Sequence, residues 1–194
     1  VSDPGDDDID PAPLDALKGA LAYFGETLSL VGEADWDRPV DEWDIRRLVA
    51  HVIINDAQIA ALVRGENVEW TTEVDVSAIG TNAMATWRGV ALGLLGALGE
   101  AGALAATYSH PLGAATGEQL AGMRVVENLA HGWDLARALG VVRPLPDSLA
   151  EWALDFIRPM AGAVLDSEYF GAPIPLGLDA DAATRLLALM GRDG

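Results

Sequence analysis

Apolar residues recur along much of this chain in steps of three and four, the spacing that lines one face of an α-helix. Leu14, Leu17, Leu21, Phe24, Leu28 and Val31 form the first stripe. Asp10-Pro11 is a natural start for it, since Asp accepts free N–H groups and Pro suits the first helical position, and Gly32 is a natural stop. After a turn at Trp36-Asp37-Arg38-Pro39, Asp41 precedes a second stripe through Leu48, Val52, Ile59 and Leu62 that ends at Arg64-Gly65. Residues 66–80 hold no sustained period, and residues 69–76 fit a short extended piece or a loop equally well.

A third helix is predicted over residues 81–99, with Met84, Trp87, Ala91, Leu94 and Leu98 on its stripe. Gly89, Gly93, Gly96 and Gly99 weaken it, each by roughly 1 kcal/mol relative to Ala, and close approach to a neighbouring helix is the expected compensation. Strand-compatible residues and a turn signal over 104–113 suggest a short hairpin or an irregular crossover. A fourth helix should start between residues 116 and 118 and stop at Gly140, carrying Leu120, Met123, Glu127, His131, Asp134 and Ala138 along one side. Asp147 caps a fifth, which holds Leu149, Trp152, Phe156 and Ile157 and is kinked or ended by Pro159. A segment broken by Pro and Gly, residues 169–178, leads to a last short helix over 182–190. The pattern describes an all-α chain without internal repeats. Residues 1–10 are expected to form a disordered acidic leader and residues 11–194 a single domain.

Two of these helices break their own pattern. His51 and Asn55 sit one turn apart on the apolar stripe of the second helix, and Glu127 and His131 do the same on the fourth, with Asp134 less than a turn further on. An ionised carboxylate turned into a core costs several kcal/mol unless a positive partner meets it. A metal ion is one such partner, and two imidazoles with a carboxylate make the three-ligand set of catalytic zinc sites, whose remaining position is left to water or substrate. A Glu–His pair at this spacing also forms a plain ion pair on a wet helix face, and a single inward His is commonly a hydrogen-bonded core residue. The coincidence on two helices favours the metal.

The segment Trp43-Asp44-Ile45-Arg46-Arg47-Leu48-Val49-Ala50-His51 resembles the second-helix motif of the DinB-like bundle superfamily, in particular its mycothiol-dependent maleylpyruvate isomerase branch. Glu127-Asn128-Leu129-Ala130-His131-Gly132-Trp133-Asp134-Leu135-Ala136 is similar to that branch's fourth-helix signature, Glu-x-x-x-His-Gly-Trp-Asp-Leu-Ala. The run Phe170-Gly171-Ala172-Pro173-Ile174-Pro175 and the closing stretch from Arg185 to Asp193 resemble the ending of an actinobacterial stand-alone subgroup. The resemblance implies a DinB-like four-helix bundle with short extra C-terminal helices, and His51, Glu127 and His131 as metal ligands, the same trio that helical spacing selects. It also implies mycothiol as a cosubstrate. The isomerases carry an additional C-terminal domain that contributes to activity and that this chain length does not accommodate, so the resemblance implies the metal more than it implies maleylpyruvate as the substrate.

Composition narrows the chemistry. The chain has 12 basic and 30 acidic side chains among 194 residues, a formal charge of -18, which repels phosphate backbones and anionic lipid and leaves nucleic acid and membranes as unexpected partners. There is no cysteine, so any thiol must come from outside. The first residues show neither the basic nor the apolar region of an export signal, which points to a cytoplasmic protein. The 51% apolar content suggests a helix face covered by a second copy, hence a homodimer.

The reading that follows is a divalent metal, zinc first and nickel, iron or manganese as alternatives, that activates an exogenous thiol for transfer to, or isomerisation of, a small electrophile. A metal-dependent hydrolase and a non-catalytic bundle with a structural metal are the alternatives. Asp134, as a base or as an orienting acceptor for a ligand His, and Asn55, as a partner for bound water or substrate, are the candidate catalytic residues. His110, before Pro111, is assigned to the surface near a bundle mouth.

Overall fold

Capping chemistry sets the ends of the long helices. The computed structural model describes residues 12–71, 73–160, 172–176 and 179–193. The acidic leader, the Asp10-Pro11 start and much of the segment 169–178 lie outside the described residues. Helix α1 spans Pro13–Leu28, entering through Pro at its first turn and ending before Val31. Helix α2 spans Ile45–Val63, and its cap is Asp44, whose Oδ1 accepts the Arg47 N–H at 2.8 Å. Asp41, the cap expected from the pattern, instead has a φ of 51° in the turn of a small hairpin, β1 (Pro39–Val40) and β2 (Trp43–Asp44), with Val40 opposite Trp43. A left-handed residue cannot open a helix, so the start moves three positions on.

Residues 66–71 and 73–75 are loop, followed by a single 3₁₀ turn, Val76–Ile79. Helix α3 spans Ala83–Gly99 behind an Asn82 cap. A hairpin follows, β3 (Thr107–His110) and β4 (Gly113–Thr116), antiparallel with His110 opposite Gly113. Its strands begin three residues later than the sequence pattern suggested, because residues 101–105 turn back on themselves. Helix α4, Gly117–Leu139, opens with a capping box in which Thr116 and Gln119 bond each other's backbone N–H, and closes on Gly140 in the left-handed conformation. Helix α5 spans Asp147–Ile157; Asp147 is its first residue and not its cap, a position held by Pro146 without a side-chain bond. A 3₁₀ turn, Arg158–Met160, ends it at Pro159. Helix α6 spans Ala182–Leu189, capped by Asp181.

The apolar stripes of α1 to α4 meet in one core around Leu17, Phe24, Leu48, Leu94, Leu120 and Leu129, all essentially buried. Helix α1 lies along α4 and α3, and α2 along α3 and α4, so the four helices close a square with α2 and α4 as neighbours. Helix α5 packs on α4 and α1 and holds α6 against itself. Among the described residues no helix is long and apolar enough to cross a membrane.

The α3 glycines do not do what their spacing suggested. A Cβ added at Gly89, Gly96 or Gly99 would meet nothing within 4 Å, and at Gly93 only the Arg64 guanidinium at 3.8 Å. The glycines that permit close helix contact lie elsewhere: Gly25 faces the Trp87 ring, Gly122 faces Phe156, and a Cβ on Gly132 would sit 2.7 Å from the Tyr23 ring.

Candidate metal centre

Helix α2 brings His51, and α4 brings Glu127 and His131, to one point between the two helices. One ligand atom from each of the three lies within 4.8 Å of the others. Glu127 Oε2 is 3.7 Å from His51 Nε2 and 3.4 Å from His131 Nε2. The imidazole rings are 5.1 Å apart and nearly perpendicular, so both Nε2 atoms converge on the carboxylate. The three side chains are 14–23% exposed, which leaves one side of the cluster open to solvent.

The electrostatics match that convergence. Burial would raise the Glu127 carboxyl, but the two imidazoles facing it and the Arg124 charge outweigh it and hold the group well below the usual carboxylate range. Burial lowers His51 despite the contact with Glu127. Burial also opposes charge on His131, yet its hydrogen bonds to Asp134 and Glu127 prevail and raise it. The cluster therefore presents an ionised carboxylate between two imidazoles held differently, a donor set suited to a borderline divalent cation.

Asp134 is not turned into the opening. Its Oδ2 lies 3.1 Å from His131 Nδ1, the nitrogen facing away from Glu127, and Arg192 grips both its oxygens, Nε at 2.8 Å from Oδ1 and Nη2 at 2.6 Å from Oδ2. These partners outweigh burial and lower its carboxyl. Arg137, one turn from Asp134 on the same helix, lies over the Trp133 ring instead of pairing with it. Asn55 lies one turn beyond His51 on α2, half-buried, its amide 3.0 Å from His51 Nε2. Trp43, delivered by the β1–β2 hairpin, packs its ring 5.0 Å from that of His51. His110 sits on β3 with its ring 5.0 Å from Trp70, edge to face, and accepts the Leu112 N–H; burial, then the Arg124 charge, lowers it.

Two features escaped sequence reasoning. Behind Glu127, the buried Arg124 guanidinium bonds Asp56 across α2 and α4 at 2.7 Å, and Asn128 bonds both Asp56 oxygens at 3.3 Å. The signal was present, since charges of opposite sign stand within apolar stretches of two helices already paired by their stripes. Arg192 had no such signal, because nothing local ties residue 192 to residue 134.

The fold and the cluster together define a helical bundle with a candidate His-Glu-His metal centre between its second and fourth helices. The family model described as the mycothiol maleylpyruvate isomerase N-terminal domain matches residues 17–136, and the chain belongs to this family. Among curated relatives, two uncharacterised Mycobacterium tuberculosis proteins, from strains CDC 1551 and H37Rv, are each 27% identical over 185 residues, covering 93% of this chain and 97% of theirs. A crystal structure of a mycothiol-dependent maleylpyruvate isomerase with a histidine-to-alanine substitution superposes with a TM-score of 0.62 at 19% identity, covering 82% of this chain and 71% of that one. A second crystal structure of a mycothiol-dependent maleylpyruvate isomerase gives 0.59 at 20% identity, covering 78% and 68%. At that identity the likeness concerns the fold.

Proposed function

We propose that this chain is a metal-dependent enzyme that activates an external low-molecular-weight thiol, of the mycothiol type, for addition to a small electrophile. The observation that carries it is the approach of His51, Glu127 and His131 ligand atoms to within 4.8 Å of one another, from two separate helices, in a chain that has no thiol of its own. The family membership supports the thiol.

The donor set fits a divalent cation, with zinc as the first choice, held through His51 Nε2, Glu127 Oε2 and His131 Nε2. When bound, such an ion would lower the pKa of a coordinated thiol, so that the thiolate is available near neutral pH. The remaining work belongs to the chain. Glu127 stays ionised in the resting site and neutralises charge there. Asp134 accepts from His131 Nδ1 and so fixes the tautomer that leaves Nε2 free to donate its lone pair. Asn55, beside His51, hydrogen-bonds the incoming thiol or the polar end of the electrophile, and the Trp43 ring packs against His51. Thiol transfer and cis–trans isomerisation both follow from the same addition, according to whether the adduct is kept or reversed.

Protein purified without chelator should carry close to one metal ion per chain, and free zinc at about 100 times its dissociation constant should add about 2.7 kcal/mol to stability. His51→Ala and His131→Ala should abolish both. Turnover of activated electrophiles and of cis-unsaturated diacids, assayed with the loaded protein, should require mycothiol. Ester or amide turnover without any thiol would replace this reading with a hydrolase, and a zinc-independent melting temperature would remove the metal centre.

A further inference from the structure

We infer that Arg192 is a positioning residue for the metal centre, and that docking of the C-terminal segment against α4 is coupled to metal occupancy. The inference rests on the metal reading above and adds a residue, and an element, that nothing else assigns to it.

Arg192 lies beyond α6, 58 residues from Asp134, and its guanidinium makes the planar, two-oxygen contact at 2.8 and 2.6 Å. The Asp134 side chain is only 6% exposed. The arginine is itself held on three sides. Its Nη1 donates to the Met190 carbonyl at 3.1 Å, its backbone N–H donates to Leu187 at 2.9 Å, and Gly191 before it takes a φ of 76° that turns the chain back after the helix. Leu186, Leu187, Ala188 and Met190 are buried, so the segment behind the guanidinium is anchored. A line of contacts thus runs from the C-terminal segment through Arg192 and Asp134 to His131 Nδ1, and across the imidazole to Nε2 facing Glu127.

The coupling follows from the tautomer. A cation taken by His131 Nε2 requires the proton to sit on Nδ1, and among the described residues that N–H meets Asp134 Oδ2 as its acceptor, at 3.1 Å. The acceptor works best when its carboxylate plane is fixed, and Arg192 fixes it by occupying both oxygens. Lysine, a point charge without a fork, holds one oxygen and leaves the plane free. Linkage is reciprocal: the factor by which the Arg192 contact strengthens metal binding is the factor by which the metal strengthens docking of the segment.

The test pairs zinc affinity, by competition with a chromophoric chelator, with hydrogen exchange of amides 182–192 in the metal-free and zinc-loaded full chain. Arg192→Gln should weaken zinc about 10- to 100-fold, the range of second-sphere losses, and Arg192→Lys should fall between it and the parent. Zinc should slow exchange across residues 182–192 in the parent and do so much less in Arg192→Gln. A variant that melts earlier but binds zinc as the parent does, with His51→Ala still abolishing binding, would show a purely structural arginine and overturn the inference while sparing the metal centre. Parent protein whose 182–192 exchange ignores zinc overturns it without any variant. No zinc binding by the parent overturns this inference and the metal reading together.

Discussion

Arg124 and Asp56 face each other with side chains 6% and 0% exposed, and the geometry explains why neither is dispensable alone. Burial pushes the Asp56 carboxyl up, while the guanidinium at 2.7 Å and the Asn128 amide pull the other way. Desolvation works against the Arg124 charge too, but the facing carboxylates outweigh it and keep that charge in place. Removing one partner strands the other, and Arg124→Met should cost about 3–5 kcal/mol, the usual penalty for an orphaned buried charge. The urea midpoint measures it. Asp56→Asn combined with Arg124→Met should recover most of that loss, because the cost lies in the unpaired charge and not in the absence of the pair. Asp134 teaches the same lesson about position. Its spacing from His131 leaves its partners open, and only the fold gives both its oxygens to Arg192 and sets one of them beside His131 Nδ1.

Among the elements, α4 does most for the site, and one glycine lets it. Gly132 follows His131 directly and lies where α4 touches α1, with the Tyr23 ring 2.7 Å from where a Cβ would stand and the Phe24 Cα at 3.4 Å. The ring cannot swing aside freely, since its hydroxyl donates to the Arg143 carbonyl at 2.8 Å. Gly132→Ala should therefore destabilise the chain by about 1–3 kcal/mol through overpacking, against the usual gain from Gly to Ala in a helix. Gly89→Ala, with nothing within 4 Å, should stabilise by about 0.4–1 kcal/mol. Thermal melts of the two variants side by side test the contrast. The ends of α4 were legible in the sequence because its start and stop are local chemistry, Thr116 with Gln119 and Gly140. The start of α2 is not legible in this way, because Asp41 and Asp44 are both adequate caps by type and the choice between them falls to the β1–β2 hairpin.

Across the whole molecule, Tyr23 ties the bundle to the connection between α4 and α5. Burial pushes its phenol up to about 12, opposed by the Arg143 charge and reinforced by Asp134. A folded pKa above the ordinary value of about 10 means that the folded chain keeps a proton the unfolded chain loses. Its contribution is thus complete below pH 10 and disappears as pH rises from there towards 12. Lys18 is the chain's one lysine, so few side chains compete in that range. Denaturation midpoints followed through alkaline pH should fall over this interval, and Tyr23→Phe should flatten the fall.

Local periodicity determined a good deal of this protein: four amphipathic helices, their approximate ends, and the two that turn polar groups inward at His51, Asn55, Glu127 and His131. Those are properties of residues within a few turns of one another, and a helix displays them whatever it packs against. The tertiary structure alone decided which glycines are contact points and that Arg192 reaches Asp134. Each is a distance between residues far apart in the chain, set by how the helices cross, and neither spacing nor composition contains that information.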